Sequence, residues 1–292
     1  MTASLPGAVS IGVDIGGTNV RAARVGRDGS LTDHVKVRTE SRPDVVQLVR
    51  DLCAERMDDA VAAVGIGIPG RLDRDGATIL SAGFVDLAGV RLGEVIEDAV
   101  SRPTVVDNDA HMALTAELRL GAASAADHVV MFTIGTGIGG AVALDRTVVR
   151  GRANAGQLGH LTLDPNGVPC RCGRRGCSEL LASGTALARL VADAGLPPDA
   201  TAETLLASRA ADPVAAEVLG RWASAWRDAI DTAVAVVDPD LVVLGGGLGA
   251  AAIAALEACA PATSEWFECP VVPARLGDEA GVIGAGLRAF AG

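Results

Sequence analysis

The sequence predicts an α/β protein made of two similar domains that face a cleft, and three observations carry this. At 292 residues the chain is long enough for two cores, since domains run about 100–200 residues. The order strand, glycine turn, strand is written twice, once from residue 10 and again from residue 127. After each occurrence apolar strands alternate with stretches of helical periodicity, the mark of sheets covered by helices.

In the first half, the apolar run at residues 10–14 ends at Gly16-Gly17, and residues 19–25 continue in extended form. Arg27-Asp28-Gly29 turns the chain into an alternating strand at 31–38. Pro43 fits a helix start, followed by Val45, Val46, Leu48, Val49 and Leu52 at helical spacing. A strand at 61–68, a Pro69-Gly70 turn, a helix over 92–100 and a strand at 104–106 come next. A helix over 110–120 closes on Gly121.

The second half opens with a strand at 127–134, a glycine-rich turn at 135–140 and a strand at 141–144. Beyond an irregular stretch bearing cysteines, helices are expected near 184–194, 202–209 and 213–237. A strand at 241–244, a glycine turn, a helix over 250–259, a strand at 271–274 and a helix from Gly281 complete the pattern. Proline and glycine do not gather into a linker. The boundary near residues 110–125 is therefore soft; the expected domains are residues 1–115 and 116–280, with the last helix (281–292) expected to pack on the first.

Composition excludes several classes. A formal charge of −11 argues against a nucleic-acid footprint. There is no G-x-x-x-x-G-K-[ST] string, which removes the P-loop enzymes, and Lys36 is the single lysine that could form a Schiff base. With four Phe, three Trp and no Tyr, the cores must be built from Ala, Val, Leu and Ile. The most apolar window, 241–256, is shorter than the roughly 18 residues of a spanning helix and carries four glycines. Residues 1–10 have neither a basic flank nor an apolar signal region. The expectation is a soluble cytoplasmic protein without a membrane partner. Three of six cysteines crowd into Cys170, Cys172 and Cys177, while Cys53, Cys259 and Cys269 sit singly among apolar residues as small buried side chains.

Gly135, Gly137 and Gly140 match G-x-G-x-x-G, but they lead into a hairpin instead of the helix a dinucleotide site requires. Gly245, Gly247 and Ala250 do stand between strand and helix, yet only residues 251–292 remain beyond them. Two hairpin glycine turns survive, Asp14-Ile15-Gly16-Gly17-Thr18-Asn19 and the stretch from Thr133 to Gly140. They are either phosphate cradles, exposing backbone N–H groups and hydroxyls, or ordinary tight turns. Asp14, ending a buried strand, could hold Mg²⁺ directly or through water.

His160, Cys170, Cys172 and Cys177 supply four N/S donors within eighteen residues, which suits a closed structural zinc site; a dithiol switch is the competing reading. Asn108-Asp109 lies at the carboxyl end of a strand, where α/β sheets place chemistry, but also where a helix needs its N-cap. Asp107 or Asn108 could cap and leave Asp109 free. Glu179 is a further polar group tied to the cysteine loop.

Together D-I-G-G-T-N, the G-I-G-I-P-G loop at residues 65–70, D-N-D-A at 107–110, T-I-G-T-G-I-G-G, A-G-x-L-G-H and C-x-C-G-x-x-G-C-x-E resemble the ROK family of repressors and sugar kinases. The motifs stand in family order over nearly the whole chain. The resemblance implies the actin-like ATPase (ribonuclease H-like) fold and ATP-dependent phosphorylation of a sugar's primary hydroxyl. Asp109 would then be the general base, with Asn108 and Gly67 at the sugar. Asp14, Gly16, Gly17, Thr18, Asn19, Thr136 and Gly137 would hold Mg²⁺ and phosphates, and Gly245, Gly246 and Gly247 would line the adenosine. His160 would bind zinc through one ring nitrogen and touch sugar with the other, and Glu179 and Gln157 would bind the sugar too. A homodimer or dimer of dimers is the implied assembly.

Three departures from the family pattern fall on the sugar side. Gln157 replaces the usual Glu of A-G-E-x-G-H, residues 80–84 replace an Asn-Leu…Trp stretch, and His111 follows D-N-D-A where a small or amide side chain is usual. A glutamine donates as well as accepts, so it suits a different hydroxyl or amino pattern. A glucose-like hexose is the first expectation. An aminodeoxyhexose such as kanosamine, or a carbocyclic mimic, is the second, and a non-catalytic sugar sensor the most remote. Family repressors carry an N-terminal DNA-binding segment of roughly seventy residues, and here thirteen residues precede Asp14.

Overall fold

The computed structural model describes residues 8–39, 44–83, 85–152, 154–262 and 264–291. Its first elements are β1 (Val9–Ile15), β2 (Asn19–Val25), β3 (Leu31–Arg38), α1 (Val45–Glu55) and β4 (Val61–Ile68). The short β5 (Arg71–Leu72) and β6 (Ile79–Ser81) precede α2 (Leu92–Val100), β7 (Thr104–Asn108) and α3 (Asp109–Leu120). Next come β8 (Val129–Ile134), β9 (Ile138–Leu144), β10 (Thr147–Val148), α4 (Ser178–Ala182), α5 (Gly184–Asp193), α6 (Ala202–Ser208) and α7 (Pro213–Val237). The chain ends with β11 (Leu241–Gly245), α8 (Gly249–Cys259), β12 (Val271–Pro273) and α9 (Ala280–Ala289).

Several boundaries have clear local causes. Asp44 accepts the Gln47 N–H and caps α1, while Pro43, the expected helix start, and Phe84 lie outside the described residues. Asp212 caps α7 with Pro213 in its first turn, and Asp238 closes it at φ 49°. The expected strand at 104–106 runs on to Asn108, because Asp107 and Asn108 pair with Gly67 and Ile68 of β4. The expected turn at 135–140 shrinks, and β9 begins at Ile138 rather than 141. Gly139 and Gly140 are strand residues opposite Thr133 and Phe132. A Cβ on Gly140 would lie 2.6 Å from Leu158, so that glycine serves packing.

The chain forms two compact units, and their limits differ from the expected 1–115 and 116–280. One comprises Met1–Ser124, Val148–Ala155 and Asp278–Gly292; the other Ala125–Thr147 and Gly156–Gly277. The first unit keeps the whole of α3 and also takes a short segment from the middle of the chain. Its sheet has the order β3-β2-β1-β4-β7, and the second unit's sheet has the order β10-β9-β8-β11-β12. In each, an antiparallel hairpin leads into two parallel strands. The topologies match strand for strand.

The cores differ in content. The first is aliphatic, with Ile11, Val13, Ile66, Ile68, Leu48 and Ile96 fully or nearly fully buried. The second carries Phe132, Trp222 and Trp226 in edge-to-face contact, with ring centroids 5.5 and 6.4 Å apart. In the first unit, glycines bring α9 hard against the sheet. A Cβ on Gly12 would strike the Val282 carbonyl, and one on Gly65 the Ala285 carbonyl. This close approach sets the N-terminal end of α9 beside the end of β1. No helix among the described residues is long and apolar enough to cross a membrane.

Candidate active site

In the first unit the ends of three neighbouring parallel strands gather the predicted polar residues. Asp14 on β1 is in register with Gly67 on β4, and Gly67 with Asp107 on β7. A Cβ on Gly67 would lie 3.6 Å from Asp14 Oδ1 and 3.4 Å from the Asp109 Cα, so the missing side chain keeps open the space between two carboxylates. From the other side, a Cβ on Gly281 in the first turn of α9 would come within 2.7–3.0 Å of the Asp14 carboxyl. The partial positive charge of a helix N-terminus favours an anion there.

Asn108 is the N-cap of α3, its Oδ1 accepting the Ala110 and His111 N–H groups at 2.9 and 3.2 Å. Its Nδ2 donates to the Gly70 carbonyl at 2.9 Å. Capping by Asn108 leaves Asp109 at the first helical position, half-buried, with one oxygen accepting the Ala110 N–H at 2.8 Å.

Burial pushes the Asp14 carboxyl up to about 6, against the pull of Arg21 and with Asp278 and Glu279 adding to the rise. Burial and the neighbouring charge of Asp14 push Asp109 up to about 7. Two carboxyls whose ionised forms repel each other in a sheltered place are what a divalent cation would relieve, and the donor chemistry of Asp14 suits Mg²⁺. The turn at Gly16, Gly17 and Thr18 is fixed by the Gly16 N–H bond to Asn19 O and by Thr39, while Gly17 and Thr18 stand exposed.

The second unit has the corresponding turn between β8 and β9. Gly135 and Thr136 are exposed, their carbonyls accepting the Gly184 and Thr185 N–H groups at the start of α5. The Gly245-Gly246-Gly247 turn lies next to it, because β11 runs parallel to β8. Gly246 has φ +76°, and a Cβ there would strike Ile134. Hence the two glycine turns of this unit are brought together.

Glu179 holds the turn from the other side: it accepts the Ile138 N–H at 3.0 Å and would lie 2.5 Å from a Cβ on Gly137. Gln157 precedes a single 3-10 turn, Leu158–His160, and is half-buried. Among the described residues its side-chain amide has no hydrogen-bond partner.

One ligand atom each from His160, Cys170, Cys172 and Cys177 lies within 4.8 Å of all the others. His160 Nδ1 is 3.7 Å from Cys170 Sγ, and Cys172 Sγ is 3.6 Å from Cys177 Sγ. Tetrahedral bonds of about 2.3 Å set neighbouring sulfurs roughly 3.8 Å apart, so the donor set fits zinc. Burial, the hydrogen bonds of Cys172 and Cys170, and their charge push the Cys177 thiol up to about 12, a crowding of sulfurs that a cation would relieve.

Sequence reasoning missed two groups, Arg21 and Gly281. Arg21 lies 3.6 Å from Asp14 and 2.8 Å from Asp278; its place opposite Asp14 was readable from the hairpin pairing. Gly281 meets Asp14 across the whole length of the chain, and no local signal announces it. His111, expected on the sugar side, is buried with both ring nitrogens engaged, Nδ1 3.0 Å from Asp107 Oδ1 and Nε2 3.3 Å from Ala155 O. Arg150 Nε lies 2.9 Å from the other Asp107 oxygen. Burial alone would raise the Asp107 carboxyl, but His111 and Arg150 hold it below the ordinary value.

Residues 10–289 match the profile of the ROK family. A ROK hexokinase from Thermus thermophilus is similar in structure, with 34% identity and a TM-score of 0.82 over 97% of this chain and 98% of that one. A ROK family glucokinase from Streptomyces griseus, solved with glucose and AMPPNP, has 31% identity and a TM-score of 0.79 over 98% and 100% of the two chains. A glucokinase from Streptomyces coelicolor is 31% identical over 95% of this chain and 96% of its own length. The fold is that of the actin-like ATPases.

Proposed function

Since this chain belongs to the ROK family, we propose that it is an ATP- and Mg²⁺-dependent sugar kinase acting on the primary 6-hydroxyl of a glucose-like hexose. The observation that carries the reading is the pair Asp14 and Asp109, both present, raised in pKa and separated by the open space over Gly67. The S. griseus relative, solved with glucose and AMPPNP, supports a glucose-like substrate.

Phosphoryl transfer asks the protein mainly for positioning and charge neutralisation. In this reading Asp109 accepts the proton of the attacking hydroxyl, and Asn108 and Gly67 border the sugar. Asp14 holds Mg²⁺, which when bound offsets phosphate charge. The exposed Gly16-Gly17-Thr18-Asn19 and Thr136-Gly137 turns offer N–H groups and hydroxyls to phosphate oxygens, and Gly245, Gly246 and Gly247 border the adenosine. His160, Cys170, Cys172 and Cys177 would hold zinc, which would supply a cross-link for the loop between Gln157 and Glu179 on the sugar side.

The test is ADP release over hexoses, amino sugars and cyclitols, with ATP and polyphosphate as alternative donors, and phosphorus NMR of the product. Expected is turnover with a glucose-like hexose and ATP, giving a phosphate monoester on a CH₂ carbon. Absence of ADP release with every sugar would overturn the reading.

One observation favours a second substrate, an amino sugar or carbocyclic mimic: Gln157 offers an unengaged NH₂ donor where an acid would accept only. With such a substrate, Gln157→Glu leaves a mismatched buried group at a cost of about 1–3 kcal/mol. With plain glucose the same change strengthens binding, because charge-assisted bonds are the stronger ones. The ratio of kcat/KM values for glucose in wild type and Gln157→Glu separates the two.

A further inference from the structure

Asp107 is the hub of a buried polar network that phosphoryl transfer leaves unused. One of its oxygens accepts the Asn108 N–H at 2.8 Å and faces His111 Nδ1 at 3.0 Å; the other is 2.9 Å from Arg150 Nε. The network reaches the segment Val148–Ala155, which belongs to the first unit although the residues on either side of it along the chain belong to the second. Besides the Arg150–Asp107 pair, three contacts fasten that segment. Arg71 Nη1 donates to Asn154 Oδ1 at 2.8 Å, Arg150 adds a bond from Nη2 to the Val106 carbonyl at 3.3 Å, and His111 Nε2 faces the Ala155 carbonyl at 3.3 Å. The first is exposed and Arg150 is 39% exposed, while His111 is only 6% exposed. Bonds sheltered from water resist competition, so His111 is the firm fastening of the Ala155 end, the end that leads into Gln157.

We propose that His111 is a positioning residue for sugar binding. It fastens the chain that leads, two residues on, into Gln157 to the same strand-to-helix junction that carries Asp109. The inference rests on the sugar-kinase reading above. Asp107 keeps Arg150 and the Asn108 N–H without His111, and Asn108 still caps α3. Loss of the imidazole therefore loosens the Ala155 end of the segment, next to Gln157, while Arg150 stays tied to Asp107 and the Asp109 junction stays in place, and the effect falls on sugar KM in preference to kcat.

The test uses the full chain with His111→Phe, which keeps a ring and removes both polar contacts. Sugar KM is expected to rise about fivefold or more, the scale of one lost buried hydrogen bond. The KM for ATP and kcat should stay within about twofold, and Tm within about 3 °C. Independently of activity, trypsin cleavage after the exposed Arg152 should become faster. His111→Gln, which restores an N–H donor, should recover most of both effects. His111→Asn reaches Asp107 alone; it carries the same expectation as the Phe variant and replaces it if that variant does not fold.

Unchanged sugar KM with unchanged cleavage would overturn the proposal, as would an equal rise in the KM values for sugar and ATP. A wild-type chain that phosphorylates no sugar would instead remove the parent reading, and the cleavage rates would still decide whether His111 fastens the segment.

Discussion

Where the first unit ends β1 with Asp14 before its glycine turn, the second ends β8 with Thr133 at the matching place. The sheets have the same order and directions, and both turns expose a glycine and a threonine. The charge at the strand ends is the difference. The first unit sets two half-buried carboxyls, Asp14 and Asp109, at the ends of β1 and β7. The second sets neutral glycine turns at the ends of β8 and β11, and its charged side chain Glu179 is already engaged by the Ile138 N–H. In our reading the first unit provides the base, the cation ligand and the sugar-bordering Asn108 and Gly67, and the second provides the nucleotide turns together with the sugar contacts of its Cys–His loop.

The largest expected effect lies in the first unit. Asp109→Asn should lower kcat by about two to four orders of magnitude, the range for loss of a general base, with sugar binding largely intact by calorimetry. A variant keeping a tenth of wild-type turnover would break the assignment.

The two glycines that face carboxylates sharpen the contrast between units. Gly281→Ala would press on Asp14, and Gly137→Ala on Glu179. Overpacking of this kind costs about 1–3 kcal/mol, so a roughly tenfold rise in KM is expected in each case. It should fall on Mg-ATP for the first and at least equally on sugar for the second. Steady-state kinetics of the two variants would contradict the division if the pattern reversed.

Elemental analysis should find one zinc per chain, lost in Cys172→Ser. Metal loss should raise sugar KM a few-fold while leaving kcat less affected, since the ligands lie between Gln157 and Glu179.

The smallest effect is on stability. Asp109 has its folded pKa raised to about 7, so its contribution to stability is lost as pH rises through that value. Without Mg²⁺, Asp109→Asn should therefore raise Tm at pH 8, by about 2–4 °C for each ~1 kcal/mol, and leave it nearly unchanged at pH 4. A lower Tm at pH 8 would contradict the burial of that carboxyl.

Much of the fold and the site is legible in the sequence, for local reasons. Periodicity places α2 at 92–100, β4 at 61–68 and α7 at 213–237, because each is bounded by its own caps, turns or prolines. The Cys and His spacing gives the Cys–His cluster, since all four side chains lie within eighteen residues. That Asp107 or Asn108 caps the helix and leaves Asp109 outside the cap is legible, as helix starts demand, and the structure gives the cap to Asn108. Contacts between distant parts of the sequence are not legible. Gly281 against Asp14, the segment carrying Arg150 against Asp107, and the fit of α9 on Gly12 and Gly65 depend on tertiary approach, which leaves no spacing to read. His111 stands out by its type, but its role as an anchor requires the position of Ala155.

The central claim is that Asp109 in its ionised form takes the proton from the sugar. The pH dependence of kcat/KM for the sugar, measured at saturating Mg-ATP in wild type and Asp109→Asn, tests it most directly. Binding of a cation at Asp14 removes the repulsion that helps to raise Asp109, so the wild-type profile should fall about tenfold per pH unit below a limb at or somewhat under about 7. The residual activity of Asp109→Asn should lack that limb. A wild-type profile that stays level from pH 8 down to pH 5, or the same limb persisting in Asp109→Asn, would contradict the account.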